Sequence, residues 1–593
     1  MLRIDFNIMF MRSVVALISV LLLSFSLYAE KDDRVREYIS PTRIVWTENP
    51  QFIENIDALL AEGTGQSDLS GYGVCLMRST ETGHPSILLD FGRELHGGLQ
   101  IVTGQSSTKK PVRIRVRFGE SVSEAMSEID GLNGASNDHA VRDFEMLLPW
   151  LGTMETGHSG YRFVRIDLLD DNVTLHLKEI RAVAIYRDIP YRGSFRCNDD
   201  LLNQIWQTGA YTVHQCMQTY LWDGIKRDRL VWMGDMHPEV MTIANVFGDI
   251  DIVPRSLDFV RDITPLPSWM NGLFTYSFWW VIVQRDWYMF QGDLEYLKQQ
   301  REYLKGLLDI ILDCVDEDGL QNKGAGFLDW PSNADIPAMT VGTQALIMMA
   351  LEAGKELCMH LGETKLAEDC AECHARMLMA APVARDRYNS EAKEPSSPGS
   401  KQAAALMALS GIADASEMNQ SILCQDGARG FTTFYGYYML QAMAKAGDYQ
   451  NALDMIRTFW GAMLDMGATT FWEDFNIDWI TEDVAPIDEL VPEGKKDVHG
   501  DYGAYCYKGL RHSLCHGWAS GPTSWLTNHV LGVEVLQPGC KVIRIIPHLG
   551  DLEWAEGTFP TPYGDVKISH KKTAEGKVMS RIDSPKGIKI IKK

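Results

Sequence analysis

The sequence predicts a multidomain α + β chain, with a toroid of paired helices flanked by an N-terminal β-sandwich and a small C-terminal β-domain. Three observations carry this. Apolar residues alternate with period two from about residue 40 to 190, recur at helical spacing from about 196 to 535, and alternate again towards the end. A chain of 593 residues has room for several domains. The expected divisions are 1–29 as an export signal, 30–195 as the sandwich, 196–535 as the helical domain and 536–593 as the closing β-domain.

At the amino terminus, Arg3 and Arg12 precede the apolar run Ser13–Tyr28, Ala29 ends it, and a charged stretch follows from Glu30. That order is the signature of a cleaved secretory signal, and the run is too short for the ~20 residues that span a bilayer. The mature protein is therefore expected to begin near Glu30, periplasmic or secreted, with no membrane contact. Short alternating runs follow, at Ser86–Gly92, Val112–Phe118, Tyr161–Ile166 and Val173–Lys178, and their spacing predicts a sandwich. At Asn198–Asp200 an acidic or amide cap opens the first amphipathic helix. Further helix-length segments include Glu295–Cys314, Val341–Leu361, Ala403–Ala413, Phe434–Ala446 and Tyr449–Met463. About 330 residues at ~27 per helix and loop give roughly twelve helices, which close as six hairpins. Arg385–Ser400, rich in Pro, Ser and charge, reads as a loop. Lys541–Ile546, Asp565–Ser569 and Gly587–Ile591 restore the strand pattern.

Composition narrows the function. A net charge of −23 argues against dedicated binding of nucleic acid or an anionic membrane, since phosphate is met mainly by Lys and Arg. Sixteen Trp and twenty-one Tyr on an acidic chain suit a flat, uncharged polar partner such as a sugar, and equally suit a large core. Eleven scattered Cys do not form a disulfide scaffold. Cys370-Ala-Glu-Cys373-His374 has the spacing of a haem attachment site, but it falls within a helical repeat, where a helix-borne pair is the better reading. No metal-ligand spacing is evident, since His237-Pro-Glu239 lacks a second His, and no cofactor is implied.

Three segments carry candidate chemistry. In 222–235, Asp223, Asp228 and Asp235 stand among Lys226, Arg227 and Arg229, between Trp222 and Trp232. Gly224 predicts a turn that aims Asp223 into a cavity, and a helix after it would put Asp228 and Asp235 on one face. Crowded carboxylates in a partly dry pocket keep one protonated near neutrality, as a general acid requires. A structural Arg–Asp network at a helix start accounts for the same residues. In 467–475, Glu473 lies among Phe471, Trp472 and Phe475 at a turn, where an aromatic setting raises basicity; a helix cap is the alternative. Glycoside hydrolysis needs two such carboxyls across one sugar. In 513–526, His516 beside Trp518 offers a hydrogen bond and a wall, and Asp329-Trp330 offers an acceptor and a stacking face.

Taken in order, the Asp-x-x-x-Arg-Asp-Arg…Trp-x-Gly-Asp of 223–235, the Gly-Ala-Thr-Thr-Phe-Trp-Glu of 467–473, the Ser-Leu-x-His of 513–516 and the tail 547–564 resemble the α-L-rhamnosidases of glycoside hydrolase family 78. The resemblance covers about Leu88 to Asp565. It implies an (α/α)6 toroid flanked by β-domains, and inverting removal of terminal α-L-rhamnose from a glycan or glycoside without a cofactor. It places the general acid at Asp228 and the general base at Glu473, with Asp223, Arg227, Trp232, Asp235, Trp330 and His516 lining the sugar pocket. The chain departs from the family pattern in having Gly224-Ile225 where many members have Cys-Pro, Asp228 where many have Glu, and Asp474-Phe475 after the base. The Asp-for-Glu change keeps open a glycan-binding protein that kept the pocket and lost the chemistry, and a toroidal glycosidase for another sugar stays open because aromatic-plus-carboxylate pockets do not spell out hydroxyl stereochemistry.

Overall fold

A computed structural model describes residues 32–129, 133–505 and 507–592. The expected export signal lies outside the described residues. The N-terminal region is a nine-stranded sheet of antiparallel ladders, built around two long strands, Ser86–Thr103 and Gly152–Leu168. The run read as Ser86–Gly92 is only the start of the first. Its pairing with Gly152–Leu168 slips between Asp90 and Leu95, where Gly92 takes φ +82, and again between Gly97 and Leu99 before running on to Thr103. The alternation hides there because both faces of the second half are buried. Leu89, Leu99, Ile101, Val116, Val164 and Ile180 form the core of this domain.

Among the described residues between Asp200 and Trp525 lie twelve α-helical segments, the shortest of one turn. Local chemistry starts and stops them. Asp199 accepts the N–H groups of Leu201 and Leu202, Asp293 that of Tyr296, Asp335 that of Ala338, and Asp448 that of Asn451. Gly292 and Gly362, at φ +70 and +76, end Phe274–Gln291 and Ile336–Leu361. Ile336–Leu361 is long and apolar enough to cross a bilayer, but most of it is buried in the helical core. Its neighbour Thr364–Asn389 carries Cys370 and Cys373 on its buried face, both unbridged, as are all ten described cysteines. Because that helix runs to Asn389, the loop expected from Arg385 begins only at Ser390.

The C-terminal strands form two small sheets. Trp554–Thr561, Gly564–Lys572 and Val578–Asp583 pair in sequence, and Ser194–Cys197, from before the helices, joins them at Trp554–Thr561. Val533–Val535, Val542–Ile545 and Lys589–Lys592 make the other. Their apolar side chains, among them Ile543, Phe559 and Ile568, belong to the same continuous core as the helices.

Candidate active site

The segment 217–235 is not helical. It is a folded loop between Asp200–Cys216 and Met236–Val246, so Asp228 and Asp235 do not share a helix face as expected. The loop is held from inside. Both oxygens of Asp223 accept backbone N–H groups of the loop, those of Leu230 and Asp228, each at 2.9 Å. Gly224 bridges to His516, and the Gly517 N–H donates to the Asp223 carbonyl at 2.8 Å. A Cβ at Gly224 would lie 2.7 Å from the Arg227 carbonyl and 2.9 Å from that of Cys515, so close approach requires glycine.

The other two motifs are laced to this loop. The Glu473 N–H donates to Ser513 O at 2.9 Å, the Ser513 N–H donates to Glu473 Oε2 at 3.1 Å, and the His516 N–H donates to Phe471 O at 2.9 Å. Thr433 Oγ1 and Trp518 Nε1 both donate to the Glu473 carbonyl, at 2.6 and 2.9 Å. Segments some 290 positions apart in sequence thus run side by side. Between them opens a cavity of about 210 Å³, the size of a single sugar ring rather than a chain. Asp223, Arg227, Asp228, Trp232, Asp235, Trp330, Glu473 and His516, all singled out from sequence, line it. Asp329 does not. Its carboxylate stands behind Trp330, accepting from Thr432 Oγ1 at 2.6 Å, the Trp330 N–H at 2.8 Å and Gln402 Nε2 at 3.4 Å, which leaves it a bracing group rather than a wall. Burial pushes its pKa up to about 6. Sequence reasoning missed Asn271, Tyr276, Phe327 and Tyr507 as walls. Tyr276 sits in the aromatic run of Phe274–Gln291, which reads as core; its hydroxyl donates to Asp235 Oδ1 at 3.1 Å.

Charge is arranged around two cations. Arg227, buried under Tyr507, places Nη2 3.0 Å from Glu473 Oε1 and Nε 3.6 Å from Asp228 Oδ1. His516 Nε2 lies 3.1 Å from Asp235 Oδ2, and its Nδ1, 3.8 Å from Glu473 Oε1, has no hydrogen-bond partner among the described residues. Burial alone would lower this imidazole, but the Glu473 charge and the Asp235 hydrogen bond outweigh it and carry its pKa to about 9. Asp223 is pushed up to about 7 by burial, against the pull of His516. Asp235 is raised for the same first cause. Asp228 is the more open carboxylate, its side chain 21% exposed against 3% for Glu473. One deep and one shallow carboxylate across a sugar-sized space can act on opposite sides of a bond.

Glu120, Glu124 and His499 come within 4.8 Å of one another, a set that could hold a metal ion. They already hold a cation: the Lys226 ammonium lies 3.1 Å from Glu120 and 3.2 Å from Glu124 and donates to the carbonyls of Leu510 and His512.

Comparison with known proteins adds to this geometry. The family model described as the bacterial alpha-L-rhamnosidase 6 hairpin glycosidase domain matches residues 190–530, and that of the bacterial alpha-L-rhamnosidase C-terminal domain matches 532–590. An alpha-L-rhamnosidase of Alteromonas sp. (strain LOR) is 24% identical over 535 residues, covering 83% of this chain and 54% of its own. One from Formosa agariphila is 22% identical over 194 residues, 29% of this chain and 20% of its own. The chain thus spans about half the length of the first of these relatives. Among solved structures, a GH78 family rhamnosidase of Bacillus sp. GL1 superposes with a TM-score of 0.71 at 23% identity, covering 91% of this chain and 55% of the other. A rhamnosidase from Klebsiella oxytoca with rhamnose bound gives 0.65 at 19% identity, covering 84% and 96%. At these identities the likeness is one of fold.

Proposed function

Because the chain belongs to the bacterial α-L-rhamnosidase six-hairpin glycosidase family, whose model matches more than half of it, we propose that it is an inverting exo-glycosidase releasing terminal α-L-rhamnose from glycans or glycosides. The observation that carries the reading is the shared cavity of Asp228 and Glu473. One guanidinium touches both, which keeps the two contacted oxygens within about 9 Å, no farther apart than an inverting pair that leaves space for a water. Asp228, at the more open side, gives its proton to the glycosidic oxygen as the bond to the anomeric carbon breaks and its electron pair leaves with the aglycone. A water on the opposite face attacks that carbon and yields a proton to Glu473. Arg227, paired with Glu473 Oε1 at 3.0 Å, keeps that carboxylate turned towards the water.

The walls suit one deoxy sugar. Trp232 and Trp330 offer apolar faces for the C5-methyl side, and the free Nδ1 of His516, with Asp235 and Asn271, faces the space where ring hydroxyls would sit. Asp223 serves mainly to hold the loop that carries Asp228, since both its oxygens are occupied. Export to the periplasm or medium is part of the proposal, on the strength of Arg3, Arg12 and the apolar run to Tyr28; a mature amino terminus near Glu30 would support it.

Replacing Asp228 by Asn and Glu473 by Gln should each lower turnover of an aryl α-L-rhamnoside by ~10²–10⁴-fold while the protein stays folded. Near-wild-type turnover in either variant would refute its assignment. Saturable binding of rhamnose without phenol release by the wild type would favour a glycan-binding protein instead.

A further inference from the structure

The carboxylate at the shallow side of the cavity, Asp228, is met from outside the cavity lining by a residue of the N-terminal sheet region. The loop 133–142 of the N-terminal β-domain reaches over 217–235, and His139 at its tip places Nε2 3.2 Å from Asp228 Oδ1. The loop is braced on several sides. Asn137 donates to Asp143 O at 2.9 Å and accepts from the N–H groups of Arg142 and Asp143, the Leu510 N–H donates to Asn133 O at 2.7 Å, and Arg511 Nε donates to Asp138 Oδ2 at 3.0 Å. Gly134 sits at φ +84 where an added Cβ would lie 2.4 Å from the Lys508 carbonyl, so the backbones are in direct contact. The approach of His139 to Asp228 is therefore built into the packing of two domains. The charged groups around the imidazole are Asp138 on its own loop, Arg511, with Nη2 3.2 Å from the same Nε2, and Asp228 with Arg227 behind it.

A general acid alternates between carboxyl and carboxylate in every cycle. An imidazole N–H at Nε2 donates to a carboxyl oxygen whether the acid is protonated or ionised, so one contact serves both states. It also ties down Oδ1, and leaves Oδ2 to carry the proton that the leaving oxygen receives. The imidazole is 28% exposed and meets the more open of the two carboxylates, itself 21% exposed.

We propose that His139 is a positioning residue for Asp228, contributed by the N-terminal β-domain. The inference rests on Asp228 being the general acid. Protonation of the leaving oxygen matters most when that oxygen is a poor leaving group, so loss of acid positioning has a signature that a general packing defect lacks.

The test compares His139→Ala, His139→Gln and Asp228→Asn on two aryl α-L-rhamnosides, one with an unactivated phenol and one with a dinitrophenol. For His139→Ala the unactivated substrate should slow ~10–100-fold and the activated one less than about 3-fold, a smaller version of the Asp228→Asn pattern. His139→Gln, whose amide reaches the Nε2 position, should recover part of the loss. Equal slowing of both substrates by His139→Ala, or no slowing of either, overturns the proposal. If Asp228→Asn itself shows no preference between leaving groups, the acid assignment falls, and the role of His139 falls with it.

Discussion

Replacing Lys226 by Met probes how the N-terminal domain supports the site. The ammonium is enclosed, with two carboxylates at 3.1 and 3.2 Å and two carbonyls as acceptors, and it is adjacent in sequence to Arg227 and Asp228. Methionine fills much of the same volume but leaves Glu120 and Glu124 buried without a counter-charge. Breaking a buried pair from one side costs about 3–5 kcal/mol, because the orphaned charge stays desolvated. The cost has a definite pH dependence. Burial already raises Glu120 to about 7 against the pull of Lys226. Without that pull its folded pKa rises further and that of Glu124 follows. A carboxyl whose folded pKa lies above its unfolded value, ~4.5, favours the native state at low pH and loses that advantage as pH rises through the folded value. The deficit of the variant against wild type should therefore be small at pH 5 and largest at pH 8. At pH 8, 4 kcal/mol corresponds to a fall in melting temperature of about 3–4 °C if so long a chain melts as a unit. Thermal melts of both proteins at the two pH values measure it. A deficit under 1 kcal/mol, or one equal at both pH values, would show that Lys226 does not neutralise this cluster.

Other outcomes follow from the same geometry. Wild-type stability should drop by about 3 kcal/mol between pH 6.5 and 9, because the His516 pKa rises to about 9 on folding, its contribution being full below 6.5 and lost through 9; His516→Asn should flatten that stretch of the pH–stability curve. Asp223→Ala orphans two loop amides, each costing about 1–3 kcal/mol, and should lower kcat far more than Asp223→Asn, which keeps an acceptor; steady-state kinetics of the pair decides it. Trp330→Ala removes a cavity wall that stacks on Tyr505, and should raise KM about 10-fold, with a smaller effect on kcat.

Much of this site could be read in the sequence because its residues cluster in short motifs where charge and aromatic rings alternate against habit. Asp223, Asp228, Glu473 and His516 announced themselves that way, and the structure brings them to one cavity. What stayed hidden depends on neighbours remote in the chain. Spacing put Asp228 and Asp235 on a helix because seven residues make two turns, but the close approach of Gly224 to Cys515 and the grip of Asp223 on two amides keep the segment a loop. Asp329 looked like a ligand-facing acceptor until Thr432 and Gln402 claimed it. His139 lies 89 positions before Asp228 in a polar loop without pattern, and nothing local distinguishes it. The fold shows the same division: the helix cap at Asp199 acts within a turn and was legible, whereas the union of Ser194–Cys197 with a strand some 360 residues later was not.

The most direct test is proton NMR of the anomeric region during the first minutes of wild-type hydrolysis of an aryl α-L-rhamnoside, before mutarotation mixes the products. Two carboxyls working from opposite faces of the ring predict β-L-rhamnose as the first-formed sugar. Release of α-L-rhamnose first would mean a double displacement, and would contradict the roles given to Asp228 and Glu473.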